Sequence, residues 1–127
     1  MPGWADRWRH RVSHVDAGDG AERTTGLAEV GEVVATFANR IIVTDGDYVE
    51  SESPNAVRAQ LLEGVARTGA EAMVQEVPDR KAAIKKALSL ARRGDTLVFC
   101  AVTTRPYRQV GAERLKWSDR NIINQLV

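Results

Sequence analysis

Between residues 25 and 102 helical and strand periodicities alternate, and this alternation limits the fold more than any other feature of the chain. Leu27, Val30, Val34 and Phe37 recur at helical spacing, so 25–39 reads as an amphipathic helix with those residues on its buried face. Thr24 or Thr25 can cap it, and Glu29 and Glu32 sit early, where the helix dipole favours acids. Ile41-Ile42-Val43-Thr44 follows at once as a short, β-branched run suited to a strand buried on both faces. After a polar loop over 45–53, Ser53-Pro54 opens a second helix with the stripe Val57, Leu61, Val65, and Gly69 closes it. Residues 72–77 read as a strand. Asp79 caps a third helix to about Arg92, with Ile84, Leu88 and Ala91 on one face and Gly94 as its stop. Residues 96–102 read as another strand, 107–117 as a hairpin turning at Gly111-Ala112, and Ser118-Asp119 as the cap of a last helix.

Such an order predicts an α/β fold: a mostly parallel sheet with helices on both faces, joined by right-handed crossovers. The length of 127 residues fits one domain. Residues 1–23 are polar and weakly patterned, and read as an N-terminal arm ahead of the domain at 24–127. Within the arm, Val12 and Val15 flank Ser13 and His14, which allows a short strand near 11–16. Trp4 and Trp8 need cover, and an apolar docking surface or an open sheet edge would support a homodimer.

Eighteen Lys and Arg against seventeen Asp and Glu leave a net charge of +1, no footprint for nucleic acid or an acidic membrane. No apolar run approaches the roughly 20 residues of a membrane span, and the first residues lack the apolar block of a secretory signal. A single cysteine, Cys100, excludes an internal disulfide framework and fits a reducing cytoplasm. His10 and His14 are four residues apart, but with a lone thiol on an apolar strand they fall short of the three or four convergent ligands of zinc.

In parallel α/β folds ligands sit beyond the carboxyl ends of the strands. Two loops therefore carry the candidate chemistry, 45–53 and 103–108. The first clusters Asp45, Asp47, Glu50 and Glu52, which can meet a cation or an amino group or simply be solvated. The second holds Thr103, Thr104 and Arg105, where Arg105 can pair with a phosphate or carboxylate. There is no Walker-type phosphate loop. Gly18-Asp19-Gly20 is a lone glycine pair that reads as a plain turn or as an anion site ahead of the first helix. No catalytic triad can be assembled, since both histidines lie in the arm.

Three stretches stand in a specific order: Val77-Pro78-Asp79-Arg80-Lys81-Ala82-Ala83-Ile84, Ala91-Arg92-Arg93-Gly94-Asp95-Thr96-Leu97-Val98, and Trp117-Ser118-Asp119-Arg120. Upstream come Arg40-Ile41-Ile42-Val43-Thr44-Asp45 and Glu52-Ser53-Pro54-Asn55-Ala56-Val57. This ordered set resembles the carboxyl-terminal domain of the Mur ligases, in the branch that adds the third peptide residue, from about Gly18 to Val127. The resemblance implies a Rossmann-like domain. In full ligases that domain closes over a separate ATP-binding domain and helps seat an amino acid. Those enzymes make an acyl phosphate from ATP with Mg²⁺, and an amine then attacks it.

The chain departs from the family pattern where chemistry is done. The family's Asp-Asn-Pro-Arg loop reads Asp45-Gly46-Asp47-Tyr48-Val49, without its Arg, and the Gly-Lys-Gly-His-Glu loop reads Ala101-Val102-Thr103-Thr104-Arg105. A kept scaffold with lost site residues gives the first expectation, a non-catalytic binding module for a small molecule or partner protein. In it Asp45 and Asp47 would meet a cationic group and Arg105 an anionic one, with Tyr48 a further ligand-binding candidate. The second expectation is a detached carboxyl-terminal part of a ligase. There Arg23 would touch phosphate, and ATP and Mg²⁺ would come only with a partner ligase chain. No cofactor is expected on this chain alone.

Overall fold

The computed structural model describes residues 26–69, 73–100 and 106–127, and the backbone of 12–16. Strand β1 (Val12–Asp16) is followed by α1 (Leu27–Phe37), β2 (Arg40–Thr44), α2 (Pro54–Arg67) and β3 (Met73–Glu76). Then come α3 (Arg80–Leu90), β4 (Leu97–Phe99), the pair β5 (Tyr107–Val110) and β6 (Glu113–Lys116), and α4 (Asp119–Leu126). Strands β1 to β4 form one parallel sheet in the order β3-β2-β1-β4, and β5 and β6 form a separate antiparallel hairpin. None of these helices is long and apolar enough to cross a membrane.

Within the stretch read as an arm over 1–23, Val12–Asp16 is a central strand. It pairs with β2 from Val12↔Arg40 to Asp16↔Thr44 and with β4 from Val12↔Leu97 to His14↔Phe99. The short strand read near 11–16 is present; what its polar composition did not show is its central place, because a strand flanked on both sides is held by ladder hydrogen bonds that depend little on side chains. The rest of that stretch, with Trp4, Trp8, His10 and the Gly18-Asp19-Gly20 pair, lies outside the described residues, as do Thr24 and Thr25.

Strand β2 organises the core. Successive side chains of a strand point to opposite faces. Ile41 and Val43 join Leu27 and Ala35 of α1 and Val57, Leu61 and Val65 of α2, whereas Ile42 joins Ala83 and Ala87 of α3. Each buried Ile or Val contributes about 1.5–3 kcal/mol relative to exposure, so the unbroken apolar run is the strongest single anchor of the fold.

Helix α1 departs from its expected orientation. Its buried residues are Leu27, Gly31 and Ala35, while Val30 is partly exposed and Phe37 is 67% exposed. The packing chooses small residues because α1 and α2 approach backbone to backbone: Gly31 lies against the Leu61 carbonyl, and Gly64 against Ala28. Larger side chains at these places would push the helices apart, so Val30 and Phe37 turn outward. The amino cap of α1 is Gly26 at φ 92°, with no side-chain cap.

The other helix starts match their sequence signals. The Ser53 hydroxyl accepts from Ala56 N–H (3.3 Å), the Asp79 carboxylate from Ala82 N–H (2.9 Å) and the Ser118 hydroxyl from Asn121 N–H (3.1 Å). Helix α3 ends at Leu90, short of the expected end at about Arg92. Asp79→Ala removes the α3 cap and is expected to lower stability by about 1 kcal/mol, read as a lower urea midpoint at unchanged m value.

Candidate functional site

Strands β2 and β3 lie on one side of β1, and the chain then crosses back to lay β4 on the other side. The reversal falls between β1 and β4, and open parallel sheets bind ligands beyond the carboxyl ends of the strands at such a switch. The segments that leave those two ends, 17–25 and 101–105, lie outside the described residues, and with them Arg23 and Arg105. Among the described residues, the loop after β2, the start of α3, the hairpin and the start of α4 are joined by side-chain contacts.

The acidic loop after β2 is tied to its own chain. The Asp45 carboxylate pairs with the Arg58 guanidinium, which also donates to Asn55 and, at 2.9 Å, to Glu76. Burial opposes the charge on Arg58, but Glu76 and Asp45 outweigh it and hold the guanidinium above its ordinary pKa. Asp47 is 3% exposed and its carboxylate accepts from Gln109 N–H of β5 at 2.8 Å. Glu52 accepts from Val49 N–H at 3.0 Å. Tyr48 gives its N–H to Gln109 O (3.0 Å) and takes Gly111 N–H on its carbonyl (2.9 Å), so the loop forms one bridge with the hairpin. Asp45, Gly46, Asp47 and Tyr48, with Pro54 and Val57 of α2, line a shallow depression open to solvent.

A second buried arginine knits the site. Arg80 is fully buried at the start of α3. Its Nε and one terminal nitrogen donate to the two Asp119 carboxylate oxygens at 2.9 and 2.6 Å. It also reaches the carbonyls of Cys100 (3.0 Å) and Asp45 (3.4 Å). One guanidinium thus joins α3, α4, the end of β4 and the loop after β2. Asp119 also accepts from the Trp117 indole N–H at 2.7 Å. Burial raises the pKa of the Cys100 thiol, with Arg80 nearby opposing, which favours the unreactive thiol.

The Trp117 ring carries a third arginine. The Arg108 guanidinium stacks on it 4.7 Å from the ring centroid, and the residue is 8% exposed. Its Nε is buried with no hydrogen-bond partner. Burial, and then repulsion from Arg80, lower its pKa below the ordinary arginine value, against weaker attraction from Asp45, Tyr48 and Asp79.

Sequence reasoning therefore named the acids and missed the arginines that answer them. Arg80 and Asp119 did stand in the motif stretches, but their pairing spans 39 residues. Arg58 and Arg108 carry no local signal. Among the described residues no group of three or more His, Cys, Asp or Glu converges to hold a metal ion. Asp45, Asp47 and Glu52 are each engaged within the chain, by Arg58, Gln109 N–H and Val49 N–H.

The sequence matches the family model of the Mur ligase glutamate ligase domain over residues 5–102. It is 34% identical over 111 residues to the UDP-N-acetylmuramyl-tripeptide synthetase of Leifsonia xyli subsp. xyli, covering 87% of this chain and 21% of that protein. It is 35% identical over 107 residues to the UDP-N-acetylmuramoyl-L-alanyl-D-glutamate–2,6-diaminopimelate ligase of Bradyrhizobium diazoefficiens, covering 84% and 21%. A solved structure of a UDP-N-acetylmuramoyl-L-alanyl-D-glutamate–2,6-diaminopimelate ligase superposes with a TM-score of 0.75 at 24% identity, over 92% of this chain and 23% of the other. The chain spans about a fifth of the length of these curated relatives. The matched span runs from the approach to β1 to just past β4, the whole parallel sheet with its switch, and the chain accordingly belongs to the Mur ligase family through its glutamate ligase domain.

Proposed function

We propose that the chain works as a non-catalytic, cytoplasmic binding module on a Rossmann-like scaffold, with helices on both faces of the sheet. It presents the carboxyl edge of that sheet to a ligand or partner. One observation carries the reading. The family stretches are built into the scaffold, with Asp79 and Ser118 as caps and Arg80 bound to Asp119, while three acids of the loop after β2 serve internal contacts. Asp45, Asp47 and Tyr48 then shape the rim, and Arg105 and Arg23 are the proposed contacts for anionic groups. Calorimetry of the purified chain with UDP-muramoyl peptides and free amino acids, beside an ATP-turnover assay, tests it. Saturable binding without turnover is expected. Turnover by the chain alone would overturn the non-catalytic reading.

A second reading is favoured by the relatives, which are named as ligases and of which this chain matches about a fifth. Here the domain completes a peptidoglycan-precursor ligase whose ATP-binding part, with ATP and Mg²⁺, lies elsewhere. Val30, Val33 and Phe37 form an exposed apolar stripe on one face of α1, the kind of surface that contact with another domain covers. ATP turnover that appears only on mixing with a chain holding an ATP site would support this reading. A mixture no more active than the partner alone would remove it.

A further inference from the structure

We propose that Arg108 is an anion-binding residue, placed to take a carboxylate or phosphate group of a ligand at the carboxyl edge of the sheet. The proposal deepens the binding-module reading and rests on it for where the ligand arrives.

The charge pattern around the hairpin is uneven. Three arginines are buried here: Arg58, Arg80 and Arg108. The first is held by Asp45 and Glu76, and the second by Asp119. Arg108 has no ion pair and no hydrogen bond from its guanidinium among the described residues, only the face of Trp117. The acids that attract it are already engaged: Asp45 on Arg58, and Asp79 on the first turn of α3. Asp119, which fixes its stacking platform, is held by Arg80.

A buried cation without a carboxylate is costly, and stacking on an indole offsets only part of that cost. The same arrangement is what an anion site needs. Trp117 is locked by its N–H on Asp119, so the platform is rigid and the planar guanidinium is pre-positioned. With Nε buried, the terminal nitrogens are left to meet an incoming group. Two oxygens of a carboxylate or phosphate match that fork, and low local dielectric strengthens the contact. An ammonium in place of the guanidinium could not reproduce either the stacking or the fork.

The test is a titration of the full chain, followed by the NMR signals of arginine Nε–H groups. Inorganic phosphate is the probe in one arm and sodium glutarate in the other. A saturable shift of the Arg108 signal is expected in at least one arm. Phosphate alone would point to a phosphorylated ligand, glutarate alone to an amino-acid or peptide carboxylate. Arg108→Lys should bind at least tenfold more weakly by calorimetry with the same probe, and Arg108→Met not at all, with thermal melts no lower than the parent. Should Arg108→Met not fold, Arg108→Lys and Trp117→Phe carry the test, the latter binding more weakly than the parent because the ring face remains but its lock on Asp119 is lost. No saturable shift in either arm, or binding that survives in Arg108→Lys, would overturn the proposal. Turnover of ATP by the chain alone, or no binding of muramoyl peptides and amino acids, with phosphate or glutarate binding intact would instead remove the wider functional reading and leave the site.

Discussion

Asp119→Ala is expected to destabilise the chain by about 3–5 kcal/mol, the range for breaking a buried ion pair by removing one partner. Arg80 is fully buried and Asp119 is 2% exposed. Removing the carboxylate leaves a guanidinium charge in the interior without its carboxylate partner, with the Cys100 and Asp45 carbonyls among its neighbours. It also strips the Trp117 indole N–H of its acceptor and so loosens the platform under Arg108. Asp119→Asn keeps an acceptor but not the charge, and should fall between Ala and the parent. The double variant Arg80→Met, Asp119→Leu removes both charges and should be more stable than Asp119→Ala alone, because no unpaired ion remains. Urea unfolding of the four proteins decides this. If the single and double variants were equally unstable, the pair would matter for packing and not for charge.

Gly64→Ala is the second large effect, and its sign is the informative part. In an exposed helix interior the change would stabilise by about 1 kcal/mol, since alanine is the better helix former. Here a Cβ would overlap the Ala28 carbonyl group, whose carbon would be 2.6 Å away. The obstacle is backbone of α1 and cannot rotate aside as a side chain would. The helices must separate and uncover Leu61 and Val65, so the top of the overpacking range applies, about 3 kcal/mol. The net expectation is a loss of about 2 kcal/mol, seen as a drop in Tm of roughly 8 °C for a domain of this size. Gly31→Ala should behave alike, because its Cβ would meet the Leu61 carbonyl at the same crossing. The two together should cost less than their sum, since the first already parts the helices. A rise in Tm for either single variant would show that the crossing is loose.

Element types and order were legible in the sequence because they follow from local chemistry. Period 3.6 against β-branched runs separates helix from strand, and Ser53, Asp79 and Ser118 mark helix starts by satisfying free N–H groups. What the chain could not record is how elements meet in space. Which face of α1 is buried depends on how closely α2 approaches, so Gly31 and Ala35 displace Val30 and Phe37 from the interior. The strand expected near 11–16 is there at Val12–Asp16, but its central place in the sheet depends on neighbours that supply ladder partners, a condition no local pattern records.

The candidate site divides the same way. Asp45, Asp47 and Tyr48 could be named from their place after a strand, but what their groups do is set by residues far along the chain. Arg58 claims Asp45 from 13 positions away, and Gln109 meets Asp47 from 62. The motifs around Asp79-Arg80 and Ser118-Asp119 were visible as family signatures. Only the fold shows that they meet across 39 positions to lock α3 to α4 and to hold Trp117 in place. By itself the sequence determined the alternating α/β plan, the caps and the family, all of which rest on interactions within a few residues or on ordered motifs. The tertiary structure alone decided which charges are neutralised and which, at Arg108, is not. Charge pairing is settled by distance in space, and a strand order of β3-β2-β1-β4 brings together residues that the chain keeps apart.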